Sequence, residues 1–313
     1  MRILFWGTPE TAAACLQFLL DQHCHIVAAV TQPDKPVGRA QRLTPPPVKR
    51  VAHAAGLPVV QPACLRSPET CALLRALAPQ VSILVAYGKL IPLELLKLGT
   101  YFINLHFSLL PRYRGAAPVQ RAIMDGCTTT GITIQHLAAA LDTGDIILQQ
   151  TVPIEPGDTT AVLLQRCVAT GAPLLQETLR LLARGAAPRI PQDHGAATQA
   201  PKLTQQDGFI NWHQPAQAIV RRVCACNPWP GATTWLHDHP IKIWSAALHS
   251  TQPASGVPGM AMLLDKRLLV ASGDGVVALK EVQPAGRTRM SAAAFMAGIR
   301  QPAVQFGEPP VVG

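Results

Sequence analysis

No run of eighteen apolar residues occurs in the 313-residue chain, so no membrane-spanning helix is expected. Met1 leads straight into a strand-like Arg2–Trp6 without the charged, apolar and small-residue order of a secretory signal, and the expected compartment is the cytoplasm. The eight cysteines, at 15, 24, 64, 71, 127, 167, 224 and 226, show no Cys-x-x-Cys spacing. Reduced, mostly buried thiols are therefore expected rather than a disulfide frame or a zinc site. Acidic residues are scarce, 18 against 27 Lys and Arg, and the resulting net charge of +9 suits a polyanionic partner, nucleic acid ahead of a membrane. The first strand-to-helix turn, Gly7-Thr8-Pro9-Glu10, holds one glycine where a dinucleotide fold needs Gly-x-Gly-x-x-Gly, which argues for an α/β sheet without a pyrophosphate cradle.

What is present divides into two parts. With 48% apolar residues the chain can fill two cores, and two domains are expected. Arg2–Trp6 reads as a strand, Ala12–Leu20 as a helix and Ile26–Thr31 as a second strand, the start of a β-α-β unit. A helix over Val48–Ala55, an extended Leu57–Gln61, a helix over Glu69–Leu77 and an apolar strand over Val81–Val85 continue the alternation. Short helices are expected over Pro92–Lys97 and from Pro118, strands over Thr130–His136 and Ile146–Thr151, and a long helix over Thr159–Leu182 interrupted near Gly171 and Pro173. The expected division is a domain over 1–186, a linker over 187–203 and a second domain over 204–313. In the latter a helix over Pro215–Cys226 precedes β segments at Thr233–Leu236, Ile241–Trp244, Met262–Leu264, Leu268–Ala271 and Val276–Val282, which predict a small antiparallel barrel before a terminal helix at Ser291–Ala297.

The chemistry concentrates between Ile103 and Pro118. Strand alternation over 101–106 puts Phe102, Asn104 and His106 on one face, so an amide donor and an imidazole converge two residues apart. Such a pair can hold a carbonyl oxygen as it gains charge and move a proton nearby. The missing carboxylate is Asp142, in the Leu141–Asp145 turn between two apolar runs. Taken alone, an Asn and a His on a strand are more often satisfied polar groups than catalysts, and the motifs around Asn104 and His106 reverse that balance. Ala86-Tyr87-Gly88-Lys89 ends a strand at the edge where open α/β sheets bind ligands, and Tyr87 suits either stacking on a flat ring or covering the core. Ser108 has no neighbouring base to make it a nucleophile, His136 reads as a core histidine, and His23-Cys24-His25 and His237-Asp238-His239 read as surface clusters.

From Gln32 to Pro47 the pattern breaks into a long basic loop. Lys35, Arg39, Arg42, Lys49 and Arg50 face only Asp34 in charge, so the stretch suits either a phosphate backbone or plain solvation, and its length favours function. Arg112 and Arg114 invite a phosphate beside the catalytic edge, or form a solvated turn around Tyr113.

Several short stretches occur together in order: Gly7-Thr8-Pro9, Thr31-Gln32-Pro33-Asp34, Val85-Ala86-Tyr87-Gly88, Asn104-x-His106, Ser108-Leu-Leu-Pro111, Arg114-Gly-Ala-Ala-Pro118, Leu141-Asp-Thr-Gly-Asp145, Asn227-Pro-Trp-Pro230 and Gln283-Pro-Ala-Gly286. In these the chain resembles the folate-dependent formyltransferases nearly end to end, most of all the branch that acts on methionyl-tRNA. The resemblance implies a Rossmann-like α/β formyltransferase domain with a smaller C-terminal OB-like β-barrel. It implies formyl transfer from 10-formyltetrahydrofolate to the α-amino group of initiator methionyl-tRNA, by a monomer that uses no metal. It also implies roles: Asn104, His106 and Asp142 in catalysis; Val85, Ala86, Tyr87, Gly88, Ser108, Leu109, Leu110 and Pro111 around the folate, the turn at 85–88 contributing backbone more than side chains; Lys35, Arg39, Arg42, Arg112 and Arg114 on the tRNA. Phe107 departs from the family's small residue before Ser-Leu-Leu-Pro, Ala139 and Ala140 from an acid and a glycine, and Gln199 from an aromatic. Two other readings are a folate-dependent formyltransferase for a small-molecule amine and a non-catalytic tRNA-binding relative.

Overall fold

The computed structural model describes residues 1–38, 41–252, 256–299 and 301–309. Two compact units result, one of Met1–Pro118, Thr129–Pro153 and Leu164–Pro201, the other of Val119–Thr128, Ile154–Leu163 and Lys202–Gly313.

The chain opens with β1 (Ile3–Gly7), α1 (Glu10–Asp21) and β2 (Ile26–Val30), then a hairpin of β3 (Lys35–Val37) and β4 (Arg42–Thr44). Next come α2 (Pro47–Ala54), β5 (Val59–Val60), α3 (Pro68–Ala76), β6 (Val81–Val85) and β7 (Tyr101–His106). After these run α4 (Pro118–Met124), β8 (Thr129–His136), β9 (Ile146–Pro153) and α5 (Thr160–Ala183). The sheet of the first unit has the order β5-β2-β1-β6-β7-β8-β9, parallel from β5 to β7 and antiparallel at β8 and β9. Strand order reverses between β1 and β6, and the crevice beyond the carboxyl ends of such strands is where open α/β sheets take ligands. β1 is buried along its whole length, which is why its sequence is an unbroken apolar run rather than an alternation.

Tyr87 belongs to the core. Its side chain is 1% exposed, edge-on to Trp6 at 5.5 Å between centroids, with Phe102 on the same cluster. Burial pushes the Tyr87 hydroxyl up to about 12. Of the two uses the sequence allowed this ring, covering the core is the one realised.

Three local expectations change. Within the 32–47 stretch Lys35–Val37 and Arg42–Thr44 pair as an antiparallel hairpin, whose base is tied down by Asp34, which takes Lys49 Nζ at 2.8 Å and Gln61 Nε2 at 2.6 Å. Residues 92–98 form overlapping turns, Leu95 to Pro92 and Leu98 to Leu95, not a helix; Gly99 at φ +74° closes them after too few residues to propagate one. α5 runs unbroken through Pro173. Cys167, Ala172, Leu175, Leu179 and Leu182 are all buried, and that packing outweighs the one lost backbone bond. Gly171 sits where a Cβ would lie 2.9 Å from Leu105 Cδ1, so it is a point of close approach between α5 and the sheet. After α5 the chain stays on the first unit: Ile190 pairs with Ile146, and Ala200 accepts from Ala117.

In the second unit α6 (Ala216–Ala225) buries Ala216, Ile219, Val220 and Val223, one helical face. The strands are β10 (Ala232–Leu236), β11 (His239–Ser250), β12 (Met260–Leu264), β13 (Arg267–Ala271), β14 (Val276–Pro284) and β15 (Met290–Ser291), then α7 (Ala292–Ala297) and β16 (Ala303–Gly307). Their order is β11-β10-β16-β12-β13-β14-β15, and β11 also pairs with β14, which closes six strands into a barrel. β16, which joins β10 to β12, is the staff of the barrel that the sequence reading lacked; its buried Val304 and Phe306 alternate with partly or fully exposed neighbours. Among the described residues no helix is long and apolar enough to cross a membrane, and no cluster of His, Cys, Asp and Glu could hold a metal. All eight cysteines are free thiols.

Candidate active site

β7 delivers Asn104 and His106 to one face, and both are buried. The turn after β8 brings Asp142 back to them in a left-handed conformation, φ +53°, uncommon outside glycine although Asp enters it more readily than most residues, and here its surroundings fix it. They do so from several sides. Asp142 Oδ1 accepts from Asn104 Nδ2 at 3.4 Å and from Gln135 Nε2 at 3.2 Å, while Oδ2 accepts from the Gly115 amide at 2.9 Å. Gln135 faces Asn104 across the β7–β8 ladder, so register alone places both amides on the same carboxylate oxygen. His106 lies behind this pair: Nε2 donates to the Tyr113 carbonyl at 2.8 Å, and Nδ1 stands 3.6 Å from Asp142 Oδ2. That hydrogen bond to a carbonyl requires the proton on Nε2, so the nitrogen turned toward the carboxylate is the one open to a second proton.

Asn104 and Asp142 line a cleft of about 520 Å3. Its walls come from Ala63–Arg66, Leu84, Lys89–Leu93 and Leu137–Leu141. Leu90, Leu93 and Leu141 are 76%, 59% and 56% exposed, an apolar rim that marks a binding groove more than a folding core. Ala139 and Ala140, the two departures before Leu141, also line it.

None of the residues expected around the folate lines this cleft. Val85 and Tyr87 are buried; Ala86 and Gly88, both with positive φ, carry the turn, and the Tyr87 carbonyl accepts from Thr8 Oγ1 at 2.9 Å and Gln32 Nε2 at 3.1 Å. Ser108 is fully buried and donates to the Arg112 carbonyl at 2.6 Å. Leu109 packs its methyl groups against Gly131, the Leu110 amide donates to Thr133 Oγ1 at 3.0 Å, and the Leu110 carbonyl accepts from Gln149. Ser108 through Pro111 is thus a loop stitched to β8. Phe107 is 8% exposed and does not line the cleft. His136 is buried at the end of β8, where burial and Arg189 hold its imidazole below the usual range.

The expected tRNA contacts separate. Lys35 and Arg42 stand exposed on opposite strands of the hairpin, beside exposed Val37 and Leu43. Lys49 and Arg50 are instead engaged with Asp34 and Glu10. Arg39 lies outside the described residues. Arg112 is exposed, its guanidinium 5.4 Å from the Tyr113 ring. Arg114 is not on the surface: it is 7% exposed, with Nη2 2.6 Å from Gln192 Oε1 and 2.9 Å from His194 Nδ1. A small turn closed by Ala200 and Thr198 draws it inward.

Sequence reasoning missed Gln135, Gln192 and the apolar rim. Large apolar residues in turn-forming stretches, Leu90, Leu93 and Leu141, were the signal for the rim; nothing in the sequence signals the two glutamines.

Known proteins place the chain in a family. Residues 1–179 match the family model described as formyl transferase, and residues 202–300 match its C-terminal domain. The chain is 45% identical over 301 residues to methionyl-tRNA formyltransferase of Symbiobacterium thermophilum, covering 95% of this chain and 92% of that protein. It is 42% identical to the Pelotomaculum thermopropionicum protein of the same name, over 96% of this chain and 97% of that one. In fold it is similar to HypX from Aquifex aeolicus solved in complex with tetrahydrofolic acid, with a TM-score of 0.67 at 20% identity over 95% of this chain and 47% of that one. By both domain matches and by identity across nearly its whole length, the chain belongs to the formyl transferase family, in its methionyl-tRNA formyltransferase branch.

Proposed function

We propose that the chain transfers the formyl group of 10-formyltetrahydrofolate to the α-amino group of methionyl initiator tRNA, the product being the formylmethionyl-tRNA of translation initiation. The observation that carries this reading is that Asn104 and Asp142 open onto one cleft in a chain 45% identical to a methionyl-tRNA formyltransferase. The Leu84, Leu90, Ile91 and Leu141 walls suit a flat heteroaromatic ring, with the turn at 85–88 and the loop at 108–111 as its frame.

The reaction is acyl transfer. The amine lone pair attacks the formyl carbon, the carbonyl oxygen becomes an oxyanion, and the folate nitrogen that carried the formyl group leaves with the bonding pair and gains a proton, becoming a secondary amine. Asn104 Nδ2, whose 3.4 Å bond to Asp142 is easily exchanged, donates to that oxyanion. Asp142 takes the proton of the attacking amine, and His106, its Nδ1 facing Oδ2, shares that proton on its way to the leaving nitrogen. No resident metal or cofactor is required.

Lys35 and Arg42 on the hairpin, with Arg39 between them in sequence, and Arg112 contact the tRNA backbone. Arg114 acts on the site from within. Residues 1–186 form the catalytic domain, 187–203 the connection and 204–313 the tRNA-binding barrel of a cytoplasmic monomer. The test is formyl transfer from 10-formyltetrahydrofolate to charged initiator methionyl-tRNA, beside methionyl elongator tRNA and an Asn104→Ala control. Activity on the initiator, lost in the control, is expected; a wild-type chain that binds tRNA in a salt-dependent way without turnover would make it a binding relative.

A further inference from the structure

Asp142 is held in a left-handed backbone conformation partly by groups that no sequence motif singles out. One of these is Gln192, 6% exposed, on the stretch that follows α5. Its Nε2 lies 3.0 Å from the Asp142 carbonyl, 2.7 Å from the Gly144 carbonyl and 3.2 Å from Gln135 Oε1. Two N–H bonds serve three acceptors, so the amide holds both ends of the Asp142 turn together with the side chain that binds its carboxylate. Gln135 then passes the restraint on, donating from Nε2 to Asp142 Oδ1 at 3.2 Å. What keeps the Gln192 amide from flipping is Arg114, whose Nε and Nη2 reach Gln192 Oε1 at 3.2 and 2.6 Å. A guanidinium only donates, so it fixes the oxygen toward itself and the NH2 group toward Asp142.

We propose that Gln192, oriented by Arg114, is a positioning residue for Asp142 in the formyl-transfer step. The inference rests on the reading of Asp142 as part of the reaction machinery. Gln192 touches no substrate; it sets the backbone and carboxylate of Asp142 against Asn104 and His106. Relaxing a left-handed residue moves its side chain by an ångström or more, a displacement that costs a reaction about a hundredfold.

The experiment compares the full-length chain with Gln192→Leu, which keeps size and removes all three donor contacts, and Gln192→Glu, which keeps the Arg114 contact but has no N–H. Both should lower kcat by about 10- to 100-fold, with KM for methionyl-tRNA within about twofold of the wild type. Combined with Asp142→Asn, Gln192→Leu should add nothing further, because it acts through Asp142. Amide hydrogen exchange gives a readout free of activity: the Gly115 amide, bonded to Asp142 Oδ2, should exchange at least tenfold faster in both variants while the β7–β8 ladder stays protected. An unchanged kcat, a loss fully additive with Asp142→Asn, or an even loss of protection across β7–β8 overturns the proposal. If one variant fails to fold, the other decides. A wild-type chain inactive on methionyl-tRNA would refute the proposed function, and the Gly115 exchange would still decide whether Gln192 holds Asp142.

Discussion

Replacing Asn104 by alanine separates catalysis from stability. Asn104 is 5% exposed, yet the space beyond its amide is the cleft, so truncation enlarges an open groove and leaves no sealed cavity. Its one side-chain bond among the described residues, to Asp142 Oδ1, is long at 3.4 Å, and Gln135 still serves that oxygen when it is gone. The fold should therefore lose no more than an ordinary hydrogen bond contributes, ~0.5–1.5 kcal/mol. The transition state should lose an oxyanion donor in a water-poor site, ~2.7–4 kcal/mol, which is about 10²–10³ in kcat. Single-turnover formyl transfer under saturating folate and methionyl-tRNA reads the second quantity, and chemical denaturation reads the first. A kcat within about fivefold of the wild type would refute the oxyanion role of Asn104. A stability loss as large as the rate loss would show that it serves as a structural amide.

Other substitutions test separate parts of the reading. Phe107→Ala should cost ~3–5 kcal/mol of stability, as truncation of a buried ring does, while KM for the folate stays unchanged because Phe107 does not line the cleft; a shifted KM would put the ring in the folate pocket. Arg42→Ala should weaken tRNA binding and reduce the slope of log K against log salt by about 1, one phosphate contact, and an unchanged slope would remove Arg42 from the interface. In the second unit, burial raises the Asp207 carboxyl, but the Thr204 amide and hydroxyl and Arg121 at 2.8 Å outweigh it and hold the group below its usual range. A folded-state value below the unfolded one gives stability that is complete above the unfolded carboxylate pKa, ~3.9, and is lost as pH falls through the folded value. Asp207→Asn should thus lower stability at neutral pH and flatten the acid limb. Tryptophan fluorescence is the probe, since Trp212, Trp229, Trp235 and Trp244 lie in this unit and only Trp6 in the other; an acid limb as steep as in the wild type would contradict the assignment.

Much of this protein is determined locally by its residues. The continuous apolar run of β1 marks a buried parallel strand, and the period of two in β7 puts Asn104 and His106 on one face whatever surrounds them. The order of short motifs is a linear property, and with it the family could be read without a structure. Other features arise only when distant segments meet. Nothing near Tyr87 in sequence says that Trp6 and Phe102 will close over it, and nothing near Pro173 says that the buried face of α5 will carry the helix through. Barrel closure needed β16, a strand of five residues whose only evident role is to pair with β10 and β12. The clearest case is Arg114. Its neighbours in sequence suggest a surface cation, but Gln192, 78 residues away, supplies the acceptor that draws it inside. The hydrogen-bonding needs of a buried polar group are met by whichever segment arrives with a matching donor or acceptor, and that choice exists only in the folded chain.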